Sequence, residues 1–280
     1  MNVLVTGGTG YFGKGFVKKL LANNLAERIC IYSRGEFAQH KMREEFNDDS
    51  RLRWFIGDVR DQDRLRRAMS GCNLVIHAAA LKRVEVCTYN VLECIATNVY
   101  GTENVVKAAI DSGVKRAVLL STDKAMAPTN VYGFSKAIAE HIFLNAASYS
   151  RSGGTEFVVT RFGNVANSTG SIIPVWAKRK ADGLICEMRD PDVTRFWMTR
   201  NEAVAFVFAA ATEFEVSRVH IPELPGYRLQ DLADAMGVET KLTELLPGEK
   251  KHETMDGVTD SSHARRMSVD ELREALNEIL

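Results

Sequence analysis

The sequence is short of most features that mark specialised classes of protein. Its 280 residues hold five cysteines, at positions 30, 72, 87, 94 and 186, with no CxxC pair and no His/Cys cluster at metal-ligand spacing. A disulfide framework and a bound metal are excluded on that ground, and reduced thiols in a cytoplasmic protein are expected. Neither sign of charge is in excess, with 36 basic against 36 acidic residues, so no global field draws the chain to nucleic acid or to an anionic membrane. No apolar run approaches the ~20 residues that cross a bilayer. The opening MNVLVTGG lacks the charged start of a signal peptide and reaches glycine by residue 7. There is no internal repeat and no low-complexity stretch. The length suffices for a buried core, as one large domain or two interleaved ones.

What is present is an alternation of short apolar runs with amphipathic stretches. NVLVT (2–6), RICIY (28–32), RWFIG (53–57), NLVIHAA (73–79), RAVLLS (116–121) and EFVVTRF (156–162) read as six strands. They are apolar without period-two alternation, as strands covered on both faces must be. Helical sequence separates most of them, which predicts βαβ units and an α/β fold, a Rossmann-like doubly wound parallel sheet. After about residue 163 the rhythm fails. A helix at 201–213, a short strand VHIPEL and helices at 228–236 and 268–279 remain readable, the last with Ser268 and Glu271 at capping-box spacing. Two domains are therefore expected. Residues 1–163 would form the Rossmann-like domain and 164–280 a smaller C-terminal domain closing over the strand ends, with helix 201–213 packing back onto the first.

TGGTGYFG (6–13) follows the first strand and opens the first helix, with Gly7, Gly10 and Gly13 at GxxGxxG spacing. A turn free of Cβ atoms lets backbone N–H groups approach a pyrophosphate at a helix N-terminus. Thr9, Tyr11 and Phe12 lie in the same turn. The second strand ends at Ser33-Arg34, where an NAD site usually carries a carboxylate for the ribose. A hydroxyl and a guanidinium suit a 2′-phosphate, so the expected cofactor is NADP. Asp58 and Val59 end the third strand near the adenine edge, and Ala78, Ala79 and Ala80 end the fourth with room for close approach. Asn98, polar in an apolar helical stretch, is a candidate to hold an internal water or backbone group beside the cofactor.

The chemistry concentrates in STDKAMAPTNVYGFSK, residues 121–136. Tyr132 and Lys136 are one helical turn apart on one face. A phenol of ordinary pKa about 10 becomes a usable base when an ammonium and an oxidised nicotinamide favour the phenolate. Asp123 and Lys124 stand side by side just past the fifth strand, flanked by Ser121 and Thr122, at the sheet edge where ligands bind.

TGGTGYFG, GDVRD, HAAALK, TNVYGT, LSTDKA, VYGFSK, RFGNV and TRFW occur in that order over nearly the whole chain. With them the chain resembles the extended short-chain dehydrogenase/reductases. Within these it resembles the UDP-N-acetylglucosamine 4,6-dehydratases of polysaccharide biosynthesis, and STDKA with TRFW carries the narrower likeness. The resemblance implies hydride transfer from sugar C4 to NADP with Tyr132 taking the hydroxyl proton. Lys124 then removes the C5 proton, Asp123 protonates the departing C6 hydroxyl, and hydride returns to C6. Lys124 must be partly neutral for this, which burial and Lys136 are expected to promote. Short members that keep the tyrosine invert C5, which is the expectation here. Ser121, Phe162 and Lys136 are implied at the cofactor, and Lys82, Asn164, Ser171, Arg195 and Glu253 at the UDP-sugar. Members are commonly dimers or hexamers, so a homo-oligomer is implied.

Two positions depart from the family pattern: Thr169 and Leu246 stand where arginine is usual, the second of these commonly a diphosphate contact. Arg195, Arg265 or Arg266 would then compensate, or the nucleotide sugar differs. Two other readings stay open: a nucleotide-sugar 4-epimerase, which needs no elimination pair, and a non-catalytic NADP-binding module.

Overall fold

The computed structural model describes residues 1–149, 154–245 and 247–280. In chain order the first part builds β1 (Asn2–Thr6), α1 (Tyr11–Ala22), β2 (Arg28–Ser33), α2 (Glu36–Glu45), β3 (Leu52–Ile56), α3 (Gln62–Met69), β4 (Leu74–His77), α4 (Val84–Tyr89), α5 (Val91–Ile95), α6 (Gly101–Asp111), β5 (Arg116–Leu120), α7 (Val131–Asn145) and β6 (Glu156–Thr160). The second part adds β7 (Asn164–Val165), α8 (Ile172–Ala181), β8 (Cys186–Met188), β9 (Thr194–Met198), α9 (Arg200–Thr212), β10 (Val219–His220), β11 (Gly226–Arg228), α10 (Leu229–Met236), β12 (Thr240–Leu242) and α11 (Val269–Ile279).

Seven parallel strands form one sheet in the order β10-β6-β5-β4-β1-β2-β3. Alternate residues of β1 feed two apolar clusters. Leu4 joins Val75, Val105, Leu119 and Phe143 on one face, and Val3 and Val5 join Phe16, Ile29, Val118 and Val207 on the other. Both faces are therefore dry, which is why the strands read as unbroken apolar runs. Strand order reverses between β1 and β4, and that crevice is where an open α/β sheet takes its ligand.

One element lies elsewhere than the sequence reading put it. The strand at VHIPEL is not part of a separate C-terminal unit. It is β10, which pairs in parallel with β6 at the edge of the large sheet. Helix α9, the helix expected to pack back onto the first domain, lies against α1 and contributes Ala203, Val204, Val207 and Ala210 to the large sheet's core. The remaining C-terminal elements gather around a third cluster, with Trp176, Trp197, Tyr227, Leu232 and Leu272 at its centre. Their strands, β7, β8, β9, β11 and β12, are two to five residues long. They form sheets of three and two strands, too short for a periodicity argument. The capping box at Ser268 and Glu271 is formed, and Thr199 and Glu202 make a second one on α9. Among the described residues no helix is long and apolar enough to cross a membrane. None of the described His, Cys, Asp and Glu side chains gather at a spacing that could hold a metal ion.

Candidate active site

A cavity of about 990 Å³ runs from the β1–α1 turn, across the strand ends, to the third cluster. One end is built from the glycine turn. Gly7 has φ +65°, and a Cβ there would lie 3.0 Å from the backbone of Ala79, so only glycine allows the turn to close on the end of β4. Gly7, Thr9, Gly10, Tyr11, Phe12 and Gly13 line this end, with Ser33, Arg34, Asp58, Val59, Ala78, Ala79 and Ala80 across from them. Ser33 is fixed by Gln39, whose Nε2 donates to its Oγ and to its carbonyl, each at 3.1 Å. Arg34 is exposed at the cavity rim. Asp58 is bound by Arg60 at 2.7 Å. Burial opposes its charge, but the Arg60 bonds prevail and hold its carboxyl below the usual range.

Asn98 sits elsewhere. It occupies a π-helical turn, Ala96–Tyr100, and does not line the cavity. Its Oδ1 accepts from Leu81 N at 2.8 Å, and its Nδ2 donates to Leu81 O and Ser135 Oγ, both at 2.9 Å. Its amide pins the loop after β4 against α7, so it holds a backbone group as expected, but set back from the cavity and not beside the cofactor.

The middle of the cavity carries the titratable groups. Asn130 caps α7 by accepting from Gly133 N at 2.9 Å, and places Tyr132 in the first turn. A Cβ on Gly133 would stand 2.4 Å from Lys124 O. The missing side chain lets the helix start close against the Asp123-Lys124 turn, which seats Tyr132 beside Lys124. Ser121, Thr122, Lys124, Tyr132, Lys136 and Phe162 all face the cavity. Lys124 Nζ lies 3.1 Å from Asp123 Oδ1, 3.1 Å from Glu253 Oε1 and 3.5 Å from Asn164 Oδ1.

Four expectations are corrected here. Lys124 is not driven toward the neutral amine. Burial opposes its charge, but the Asp123 and Glu253 carboxylates outweigh that and push its pKa well above the ordinary lysine value. Lys136 is the lysine that loses charge. Burial brings it down to about 8, against the opposing pull of Glu140, and its Nζ donates to Leu120 O at 2.7 Å. Tyr132 is pushed up to about 12 by burial, with Lys124 the leading group working the other way. Asp123 is fully buried and does not line the cavity. Its Oδ1 accepts from Thr122 Oγ at 2.9 Å and from Lys124, and its Oδ2 has no partner.

The far end of the cavity is lined by Lys82, Asn164, Thr169, Ser171, Arg195 and Glu253, together with Arg83, Arg179, Arg189, Tyr227 and Glu249. Ser171 Oγ is buried without a partner. Arg195 is held by the carbonyls of Thr194 at 2.7 Å and Lys251 at 3.1 Å, and Glu249 bridges it to Arg189. Arg265 pairs with Glu271 on the surface, and neither it nor Arg266 lines the cavity, so these two do not supply the missing arginine. Leu246 lies outside the described residues. His252 is bonded to Thr194 Oγ at 2.8 Å and also stays off the cavity wall.

Residues 3–272 match the family described as polysaccharide biosynthesis protein. The chain belongs to that family. It is 41% identical over 263 residues to the UDP-N-acetylglucosamine 4,6-dehydratase (inverting) of Campylobacter jejuni subsp. jejuni serotype O:2, covering 93% of this chain and 78% of that one. It is 39% identical over 239 residues to a UDP-glucose 4-epimerase of Rickettsia rickettsii, covering 84% and 70%. The X-ray structure of Pen from Bacillus thuringiensis superposes with a TM-score of 0.91 at 33% identity, over 99% of this chain and 98% of that one. DesIV, a dTDP-glucose 4,6-dehydratase from Streptomyces venezuelae solved with NAD bound, shares the fold at a TM-score of 0.83 and 23% identity, over 99% and 96%. In this polysaccharide biosynthesis protein, sequence reasoning missed Tyr227, Glu249 and Arg189. Tyr227 lies on the three-residue β11 and Arg189 and Glu249 in loops, where no pattern links them to the site. The glycine after Tyr132 was the one legible signal for the contact between α7 and Lys124.

Proposed function

We propose that this protein is a nucleotide-sugar 4,6-dehydratase that converts UDP-N-acetylglucosamine to the 4-keto-6-deoxy sugar with inversion at C5. The observation that carries the reading is Lys124, held between Asp123 and Glu253 beside Tyr132 on the wall of a cavity long enough for a dinucleotide and a sugar nucleotide. An epimerase works at C4 alone and has no use for a second acid–base group next to the tyrosine.

The residues fit a nicotinamide dinucleotide. The Cβ-free cradle at Gly7 leaves backbone exposed to a pyrophosphate, and the buried, unpartnered Ser121 Oγ lies beside Tyr132 on the same wall. The glycine turn, Ser121 and Lys136 would hold that group, which would supply the hydride exchange between C4 and C6 of the sugar. NADP is the favoured form, because β2 ends in Ser33-Arg34 with the guanidinium at the rim and no carboxylate to receive a ribose diol.

The chain's own residues then manage protons. Tyr132 takes the C4 hydroxyl proton, and the Lys124 charge and the Thr122 hydroxyl stabilise its phenolate against the burial that disfavours it. The 4-ketone acidifies C5–H, and Lys124 is the base that faces the cavity. The C6 hydroxyl leaves as water with a proton delivered from the hydrogen-bonded Asp123–Thr122–Lys124 group, and once hydride has returned to C6 the same group reprotonates C5 from the opposite face. Lys82, Asn164, Ser171 and Arg195 hold the sugar nucleotide. We also propose a homo-oligomer, since α4 and α5 pack on α7 and this face exposes Tyr89, Leu92, Phe134 and Ile138.

The deciding experiment is incubation with UDP-N-acetylglucosamine in heavy water, followed by proton NMR. A 4-keto-6-deoxy product with inverted, deuterated C5 is expected. A UDP-N-acetylgalactosamine product would make the protein an epimerase. Tight NADP binding without turnover would make it a binding module.

A further inference from the structure

If Lys124 is the base at C5, its surroundings set a difficulty. An ammonium cannot abstract a proton, and both of its close partners favour the ammonium. One of those partners is not part of the catalytic turn. Glu253 arrives from a loop more than a hundred residues later in the chain and is 2% exposed. Its Oε1 is 3.1 Å from Lys124 Nζ, and its Oε2 is 3.3 Å from Lys250 Nζ. Lys250 is itself anchored on the catalytic turn, donating to Met126 O at 2.7 Å. Asp123, Lys124, Glu253 and Lys250 therefore form an alternating row of charges in which Glu253 is the link between the two lysines.

We infer that Glu253 is a positioning residue and internal proton acceptor for Lys124, the group that makes this lysine competent as a base. The inference rests on the dehydratase reading and names a role that substrate contact does not cover. In the step, an N–H bond of the Lys124 ammonium breaks and an O–H bond forms on Glu253, turning an ion pair into a neutral pair. The free amine takes the C5 proton and, as the ammonium, passes it to the departing C6 hydroxyl, which leaves as water; the proton on Glu253 then returns to the freed amine. This transfer between Lys124 and Glu253 needs no proton from bulk water and no co-reactant. Asp123 is the poorer acceptor, because the Oδ1 that Lys124 reaches already takes the Thr122 hydroxyl and the residue does not line the cavity. The other charged or titratable groups around Lys124 are Arg195, Tyr132 and Tyr227, none of which is a carboxylate.

The test is Glu253→Gln, read with bound cofactor as a pH profile of two separate steps. Reduced-nicotinamide absorbance after substrate addition reports C4 oxidation, and NMR reports the dehydrated product. Internal transfer makes the wild-type elimination rate flat with pH around neutrality. In Glu253→Gln the lysine must give its proton to solvent. Elimination is expected to fall about 10²-fold at neutral pH and to recover about tenfold per pH unit as pH rises. C4 oxidation should stay near its wild-type rate. Glu253→Asp keeps the acceptor at a shorter reach, so it should be slow but flat with pH, and it serves as the test if the glutamine variant does not fold. A Glu253→Gln enzyme whose elimination is flat with pH, or which loses both steps equally, overturns the inference. Failure of the dehydratase reading itself would look different: the wild type would give no dehydrated product at any pH.

Discussion

Lys124→Ala should separate the two halves of the reaction. In the intact protein the Lys124 ammonium stands 3.1 Å from each of two buried carboxylates, Asp123 at 0% and Glu253 at 2% exposure. Removing one partner of a buried ion pair costs about 3–5 kcal/mol. Lys250 stays 3.3 Å from Glu253, so the lower end applies, about 3 kcal/mol. Over 280 residues, at about 2.1 cal/mol/K per residue, that lowers Tm by about 5 °C, which leaves a folded protein to assay. The chemical losses are unequal. Elimination loses its base and should fall by about 10²–10⁴. C4 oxidation loses only the help that Lys124 gives the Tyr132 phenolate, worth about tenfold if that help is one pKa unit. In a single turnover, reduced nicotinamide should therefore rise and persist in the variant, where the wild type shows it only transiently. Product NMR should show no 4-keto-6-deoxy sugar on the same timescale. A folded variant that dehydrates at the wild-type rate, or that never reduces the cofactor, would refute the division of labour between Lys124 and Tyr132.

Three further outcomes follow from other parts of the molecule. Arg34→Ala should weaken NADP binding by about 10–100-fold, the worth of a charge-assisted bond, and leave NAD affinity unchanged. Equal NADP dissociation constants in the two proteins by calorimetry would remove the case for NADP. Lys136, with burial as the main cause, titrates at about 8 in the fold against 10.5 ordinarily. Between those values the unfolded chain binds the extra proton, so stability should rise with pH, by at most about 3 kcal/mol (2.5 pKa steps of 1.36). Urea unfolding should show that rise in the wild type and lose it in Lys136→Met; identical slopes would contradict the burial argument. Leu92→Arg, at a residue 79% exposed beside α7, should shift a dimer or hexamer toward monomer in sedimentation, and an unchanged mass would place the interface elsewhere.

The large sheet was legible because its physics is local. A strand buried on both faces must be apolar at every position, and a turn that touches backbone at Ala79 must carry glycine at position 7. The C-terminal half was legible only in its helices. Its strands pair over two or three residues, and β10 leaves its neighbours in sequence to join β6. Nothing in VHIPEL says which sheet it serves. The cavity-lining residues on the strand ends followed from topology. Asn98 did not, because an amide in an apolar helix looks the same whether it faces a ligand or fastens a loop.

Protonation was the least legible property, and the two lysines show why. Lys124 and Lys136 are the same residue type in one short stretch, both turned toward one cavity. Sequence order suggests that each weakens the other's charge. The structure gives them opposite fates, because their partners come from different places. Lys136 finds a carbonyl at the end of β5 and keeps its charge poorly. Lys124 keeps its charge through Glu253, carried in by a loop that docks on the catalytic turn at several points. Gly248 O accepts from Thr129 Oγ at 2.8 Å and Asn130 Nδ2 at 3.0 Å, Lys250 reaches Met126 O, and Arg161 binds Met255 O at 2.5 Å. The acid–base set is therefore complete only once the chain's last fifth has folded onto residues 123–130. Weakening that docking away from the chemistry, at Thr129 for example, should act on the elimination that depends on Glu253 more than on the oxidation that depends on Tyr132.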